Sequence, residues 1–133
     1  MSFRLDTDIC SFHLKRPSGL IHRFMQHSGG LFLPTIALAE LYAWAYRRTN
    51  PAKLLQEIAA DLLPDVTVLD FDAACAQQFG MVRGSLLQQG IQVAIPDLMI
   101  ASVALVYNLT LETHNTADYQ NVPGLRLDDW LIP

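Results

Sequence analysis

The stretch "PDLMIASVALVYNLTLET", residues 96–113, decides the fold class. Pro96 opens a helix that runs to about Asn108, and Asp97 stands in its first turn, where the helix dipole favours an acid. Residues 109–113, "LTLET", follow at once and read as a strand. Working outward, the same alternation covers the chain. Residues 3–9 read as a first strand and 11–27 as a helical region stopped by "SGG". "LFLP" (31–34) is a short buried strand, and Thr35 is placed to cap a helix reaching about Arg48. Arg47 and Arg48 then suit its negative C-terminal end. Asn50-Pro51 opens a helix to about Leu63, "VTVLDF" (66–71) is a third strand, and residues 72–89 form a helix closed by Gly90. "LRLDDW" (125–130) is a short fifth strand. Such alternation predicts an α/β fold with a mainly parallel central sheet of four to five strands flanked by helices. Ligands of such sheets bind at the carboxyl ends of the strands.

The 133 residues suit a single domain, 1–133, with no repeat, linker or low-complexity tract. The chain is 51% hydrophobic and 17% charged, so much of it is interior or faces a partner. No apolar run is long enough to span a membrane and no leader-like N-terminus is present, so a soluble cytoplasmic protein is expected. Cys10 and Cys75 match neither a disulfide framework nor a zinc spacing and are expected as buried thiols. The net charge of −4 argues against a general nucleic-acid-binding surface. It is unevenly spread: residues 1–53 carry seven basic against three acidic side chains, and residues 54–133 two against ten. A basic side can attract a polyanion, although segregated solvated faces would give the same count.

Four acids draw attention. Glu40 is the only charge in "TIALAELYAWAY" (35–46), between Ile36 and Trp44 on an apolar stripe. An unpaired carboxylate on a buried face costs several kcal/mol, so a cation is expected opposite unless Glu40 reaches water at an edge. Asp97 stands at a helix start, Asp6 closes the first strand, and Asp118 follows the fourth strand together with Asn115 in "THNTADY". Each has an ordinary explanation as a cap or turn residue. Jointly they fall at strand ends or on helices leaving them. Hard oxygen donors so grouped suit Mg²⁺ or Mn²⁺ and the in-line hydrolysis of a phosphodiester.

The stretches "LDTDICSF", "TIALAELYAWA", "IPDLMIASVAL" and "LETHNTADYQNVPGLRLDDW" resemble the PIN-domain ribonucleases, and within them the VapC-type toxins of toxin–antitoxin pairs. The resemblance spans Leu5 to Trp130. It implies a PIN-like domain in which Asp6, Glu40 and Asp97 bind Mg²⁺ or Mn²⁺ and Asp118 assists as a further catalytic acid. It also implies that Asn115 positions a ligand or water, and that Thr7 and Thr113 line the site. The family's usual Asp-Thr-Asn is here Asp6-Thr7-Asp8, so Asp8 stands in for an amide and is not counted as a ligand. The implied substrate is RNA, with tRNA a candidate, cut to 5′-phosphate and 3′-hydroxyl ends. Lys15, Arg16, Arg23, Arg47 and Arg48 are candidate phosphate contacts. The implied partners are a VapB-like antitoxin, whose C-terminal segment puts a basic side chain into the acidic site, and a second copy in a homodimer within a larger hetero-oligomer. The tyrosine- and tryptophan-bearing helix 35–48 fits a groove for such a segment, although Trp44 can equally be core.

Two rivals stand beside this reading. A haloacid-dehalogenase-type phosphatase would use Asp6 and Asp8 with Asp128 and Asp129, but needs a lysine by the phosphate and an interior strand for the second pair. A non-catalytic α/β binding domain is the other, favoured by Asn115 where the family's fourth acid would stand.

Overall fold

The structure, a computed structural model, describes residues 3–5 (backbone only), 30–113 and 115–129. The expected continuation of the first strand to residue 9 and the helical region 11–27 lie outside the described residues.

Five strands form one sheet: β1 (Phe3–Leu5), β2 (Leu31–Pro34), β3 (Thr67–Leu69), β4 (Thr110–Glu112) and β5 (Leu127–Asp128). Their spatial order is β3-β2-β1-β4-β5 and every pairing is parallel. The register sets Phe3 beside Leu31 and Thr110, and Leu5 beside Glu112. Parallel strands need long return connections, and helices supply them: α1 (Thr35–Tyr46), α2 (Ala52–Glu57), α3 (Ala73–Gln88) and α4 (Ile95–Val106).

The element boundaries depart from the sequence expectation in ways the backbone explains. Thr35 is the first residue of α1 and not its cap. β2 is paired through Pro34, opposite Leu69, so the cap position falls on a proline that has no side-chain acceptor. The helix expected to run to Leu63 stays α-helical only to Glu57. It widens into a π turn over Ile58–Leu62 and tightens to a 3-10 turn over Leu63–Asp65. Pro64 has no N–H to continue an α ladder, and the wider turn buries both Ile58 and Leu62. Strands β3 and β5 are shorter than expected, at three and two residues.

α4 is buried on nearly every side, with Leu98, Ile100, Ala101, Ser102, Val103 and Ala104 all withdrawn from solvent. An all-round apolar helix of this kind belongs in a core, and α4 packs against both α1 and α3. The Ser102 hydroxyl is satisfied within the helix by donating to the Leu98 carbonyl at 2.7 Å. α4 ends where Asn108 takes a left-handed backbone, φ 55°. The Leu109 N–H then bonds the Ala104 carbonyl at 2.9 Å, and the Asn108 N–H bonds that of Leu105 at 3.3 Å, a Schellman closure. Arg126 clamps this turn by donating to the Asn108 carbonyl at 2.8 Å and its side-chain oxygen at 3.1 Å. The chain passes straight into β4, so α4 runs back along the sheet. Cys75 is a buried thiol on α3, as expected, while Cys10 lies outside the described residues. Among the described residues no helix is long and apolar enough to cross a membrane.

Candidate active site

Strand order reverses between β1 and β4, since the chain builds outward from β1 through β2 and β3 on one side and β4 and β5 on the other. At such a reversal the connections leave in opposite directions and open a crevice at the strands' carboxyl ends. The described residues that border this region come from the loop after β4 and the start of α4.

The loop after β4 is built by local hydrogen bonds. Thr113 is fully buried, its N–H pairs with the Asp128 carbonyl at 3.0 Å, and its hydroxyl accepts from the Asn115 N–H at 3.1 Å. Asn115 then leads a 3-10 turn over Thr116–Asp118, with the Asp118 N–H bonded to the Asn115 carbonyl at 3.0 Å. Asn115 and Asp118 face solvent, whereas the next residue, Tyr119, is 1% exposed in the main core. The Tyr119 hydroxyl donates to Asp97 Oδ1 at 3.3 Å. That bond puts the half-buried carboxylate of Asp97 beside the loop after β4, at the carboxyl edge.

Glu40 lies on α1, which leaves the carboxyl end of β2 and packs against α4. Its stripe is not the buried one. Ala37, Leu41 and Ala45 face the core, while Ile36, Glu40 and Trp44 form a half-buried row along its margin. Glu40 therefore stands at the half-buried margin of the core and not on its buried face. Further along the same row, the Arg48 guanidinium covers the Trp44 ring at 4.5 Å and donates to the Trp44 carbonyl at 3.1 Å. Trp44 is therefore core margin on one face and cation-stacked on the other, and Arg47 and Arg48 are exposed.

Asp6, Thr7, Asp8, Lys15, Arg16 and Arg23 lie outside the described residues. Asp6 is the residue after Leu5, with which β1, the strand on one side of the reversal, ends. Among the described residues no three His, Cys, Asp or Glu side chains group closely enough to hold an ion. The acids from α1 and α4, two helices that pack on one another, supply only hard oxygen donors, which fits Mg²⁺ or Mn²⁺ better than a softer metal. Asp128 and Asp129 lie at an edge strand, with the Asp129 N–H bonded to the Asp128 carboxylate at 2.9 Å, so the phosphatase rival lacks its interior acidic pair.

The sequence reading missed two residues. Tyr119 was not singled out; its signal is an aromatic directly after the polar cluster, able to bury its ring and still present a hydroxyl. Glu112 lies within β4 at 0% exposure, paired in register with Leu5. An acid inside an interior strand was its signal, since a carboxylate at that depth persists only when neutralised or paired.

Comparison with known proteins meets this geometry. The PIN domain family model matches residues 4–125. The chain belongs to the PIN-domain family. Its relatives place it in the VapC branch: a tRNA(fMet)-specific endonuclease VapC of Shigella flexneri is 36% identical over 131 residues, covering 98% of each chain. Among solved structures, VapBC2 from Rickettsia felis bound to a DNA fragment from its promoter superposes with a TM-score of 0.92 at 28% identity, over 98% of this chain and 99% of that one. DNA-bound VapBC from Salmonella typhimurium does so with a TM-score of 0.92 at 30% identity, over 98% of both chains. The expected α/β PIN fold is thus the observed one, and the VapC likeness extends over nearly the whole chain.

Proposed function

We propose that this VapC-family chain is a single-domain, cytoplasmic endoribonuclease toxin that depends on Mg²⁺ or Mn²⁺. It hydrolyses phosphodiester bonds of RNA, with tRNA the candidate class, and is held in check by a VapB-like antitoxin. The observation that carries the reading is the hydrogen bond from Tyr119 to Asp97, which brings the acid of α4 to the carboxyl edge where the strand order reverses. Relatives at 30–36% identity named as VapC endonucleases support the substrate, and VapBC complexes among the structural neighbours support the partner.

Glu40 and Asp97, with Asp6, would hold the cation, and it would supply a lowered pKa for a water and charge stabilisation of an in-line displacement. Asp118, exposed on the turn after β4, takes up the proton of the incoming water, and Asn115, exposed at the start of that turn, orients the water. The water oxygen bonds to phosphorus as the bond to the 3′-oxygen breaks, and the departing 3′-oxygen takes a proton from solvent, leaving 5′-phosphate and 3′-hydroxyl ends. Arg47 and Arg48, exposed past the end of α1, are the described candidates for contacts with the RNA backbone, and unpaired loops are the accessible targets. The toxin assembles as a homodimer within a hetero-oligomer with its antitoxin.

The test is cleavage of purified tRNA by the antitoxin-free chain. Cleavage with Mn²⁺, abolished by EDTA and by Asp97→Asn, is the expected result. Equal persistence of RNA with wild type and Asp97→Asn under Mn²⁺ defeats the reading and leaves a binding domain. Growth arrest on expression, relieved by co-expression of a cognate VapB-like antitoxin, is the expected behaviour in cells.

A further inference from the structure

We infer that Tyr119 is a positioning residue: its hydroxyl sets the orientation in which Asp97 presents its carboxylate to a divalent cation. The inference rests on the metal-dependent reading above and assigns a role to a side chain outside the acidic set.

Three observations support it. The ring is 1% exposed and belongs to the main hydrophobic core, so its place is set by packing. A phenol hydroxyl in such a setting loses water and must find a partner, which phenylalanine would not require. Its partner is Asp97 Oδ1, at 3.3 Å. Asp97 is the third residue of α4, where the helix's own unpaired N–H groups and dipole attract a carboxylate back onto the helix end. The Tyr119 hydroxyl holds one of its oxygens on the side of the loop after β4. The distance is longer than a full-strength O–H···O bond, as contacts of catalytic groups often are before a site is loaded.

The loop geometry explains how so exposed a turn delivers a buried anchor. Thr113 and Asn115 lock the start of the turn by their 3.1 Å bond, and the 3-10 turn Thr116–Asp118 then points Asp118 outward and Tyr119 inward. One short turn thereby carries both a solvent-facing acid and the donor that steadies the acid of a different helix. Partners of this outer kind change metal affinity by about 10- to 100-fold when removed.

The test compares wild type, Tyr119→Phe and Asp97→Asn, each stripped of metal, by calorimetric or electron-paramagnetic titration with Mn²⁺, alongside thermal unfolding and cleavage at low and saturating Mn²⁺. Expected for Tyr119→Phe are a Kd for Mn²⁺ weaker by about 10-fold or more, little change in melting temperature, and cleavage rescued at saturating Mn²⁺. Asp97→Asn should show neither tight binding nor rescue. An unchanged Mn²⁺ Kd in Tyr119→Phe, with binding lost in Asp97→Asn, overturns the role of Tyr119 and leaves the nuclease reading intact. A large fall in melting temperature with cleavage not rescued by Mn²⁺ assigns Tyr119 to the core alone and also overturns it. No Mn²⁺ binding by wild type defeats the metal-dependent reading and this inference with it.

Discussion

Tyr107, the residue that ends α4, donates its hydroxyl to the carboxylate of Asp72, the residue that caps α3. Asp72 also accepts from the Cys75 N–H at 3.0 Å. One side chain thus ties the start of one helix to the end of the helix packed antiparallel to it. The Tyr107 hydroxyl first, and the Cys75 N–H next, hold the Asp72 carboxyl down at about 2, from an ordinary value of 3.8. A depressed acid contributes stability above its unfolded pKa and loses it as pH falls through the folded value. The melting temperature of wild type should therefore fall between about pH 4 and pH 2 more steeply than that of Tyr107→Phe, whose carboxyl lacks the main cause of the shift. Parallel melting curves for the two proteins across that window would contradict the assignment.

The core should respond to volume and tolerate loss of the buried hydroxyl. Leu41→Ala, at a fully buried position of α1, is expected to cost about 2–5 kcal/mol. Ser102→Ala removes a hydroxyl that bonds only back to its own helix and should cost less than about 1 kcal/mol. Urea denaturation midpoints of the two variants give the comparison, and a costlier Ser102→Ala would mean that the hydroxyl has a role beyond its helix.

Glu40→Gln and Asp97→Asn should each lower RNA cleavage by about 100-fold or more, with circular dichroism and melting unchanged within a few degrees. Asp118→Asn and Asn115→Ala, both at exposed positions, should lower it less, and the larger of their two effects identifies the fourth site position. Initial rates at fixed Mn²⁺ decide the order.

Arg47→Ala should weaken RNA binding and make its salt dependence shallower by about 0.7 in slope, the loss of one phosphate contact on a single strand. Arg48→Ala should do the same and also cost about 0.5–1 kcal/mol of stability, because its guanidinium lies over Trp44. Fluorescence anisotropy at several salt concentrations separates the two, and slopes equal to wild type would remove both arginines from the interface.

The sequence was most informative where chemistry and period coincide. The run from Pro96 to Thr113 declares a helix feeding a strand, because Pro and Asp suit a helix start and the apolar run is too long for a loop. It was less informative where neighbours decide. The expected cap at Thr35 failed because β2 pairs through Pro34, a fact of sheet register invisible in local sequence. Glu40 was legible as an anomaly, but its burial was overestimated: the choice between adjacent stripes of α1 depends on what packs beside it. Tyr119 was legible only as an aromatic beside a polar cluster, since its hydroxyl's partner, 22 residues away, is set by topology.

The sheet's margins also shape how this protein can associate. Its outer strands among the described residues are β3 and β5, three and two residues long. Such stubs offer little template for a foreign strand to zip onto. A partner must then be met by side chains and not by backbone pairing, and side-chain specificity can be rewritten one residue at a time without disturbing the frame beneath.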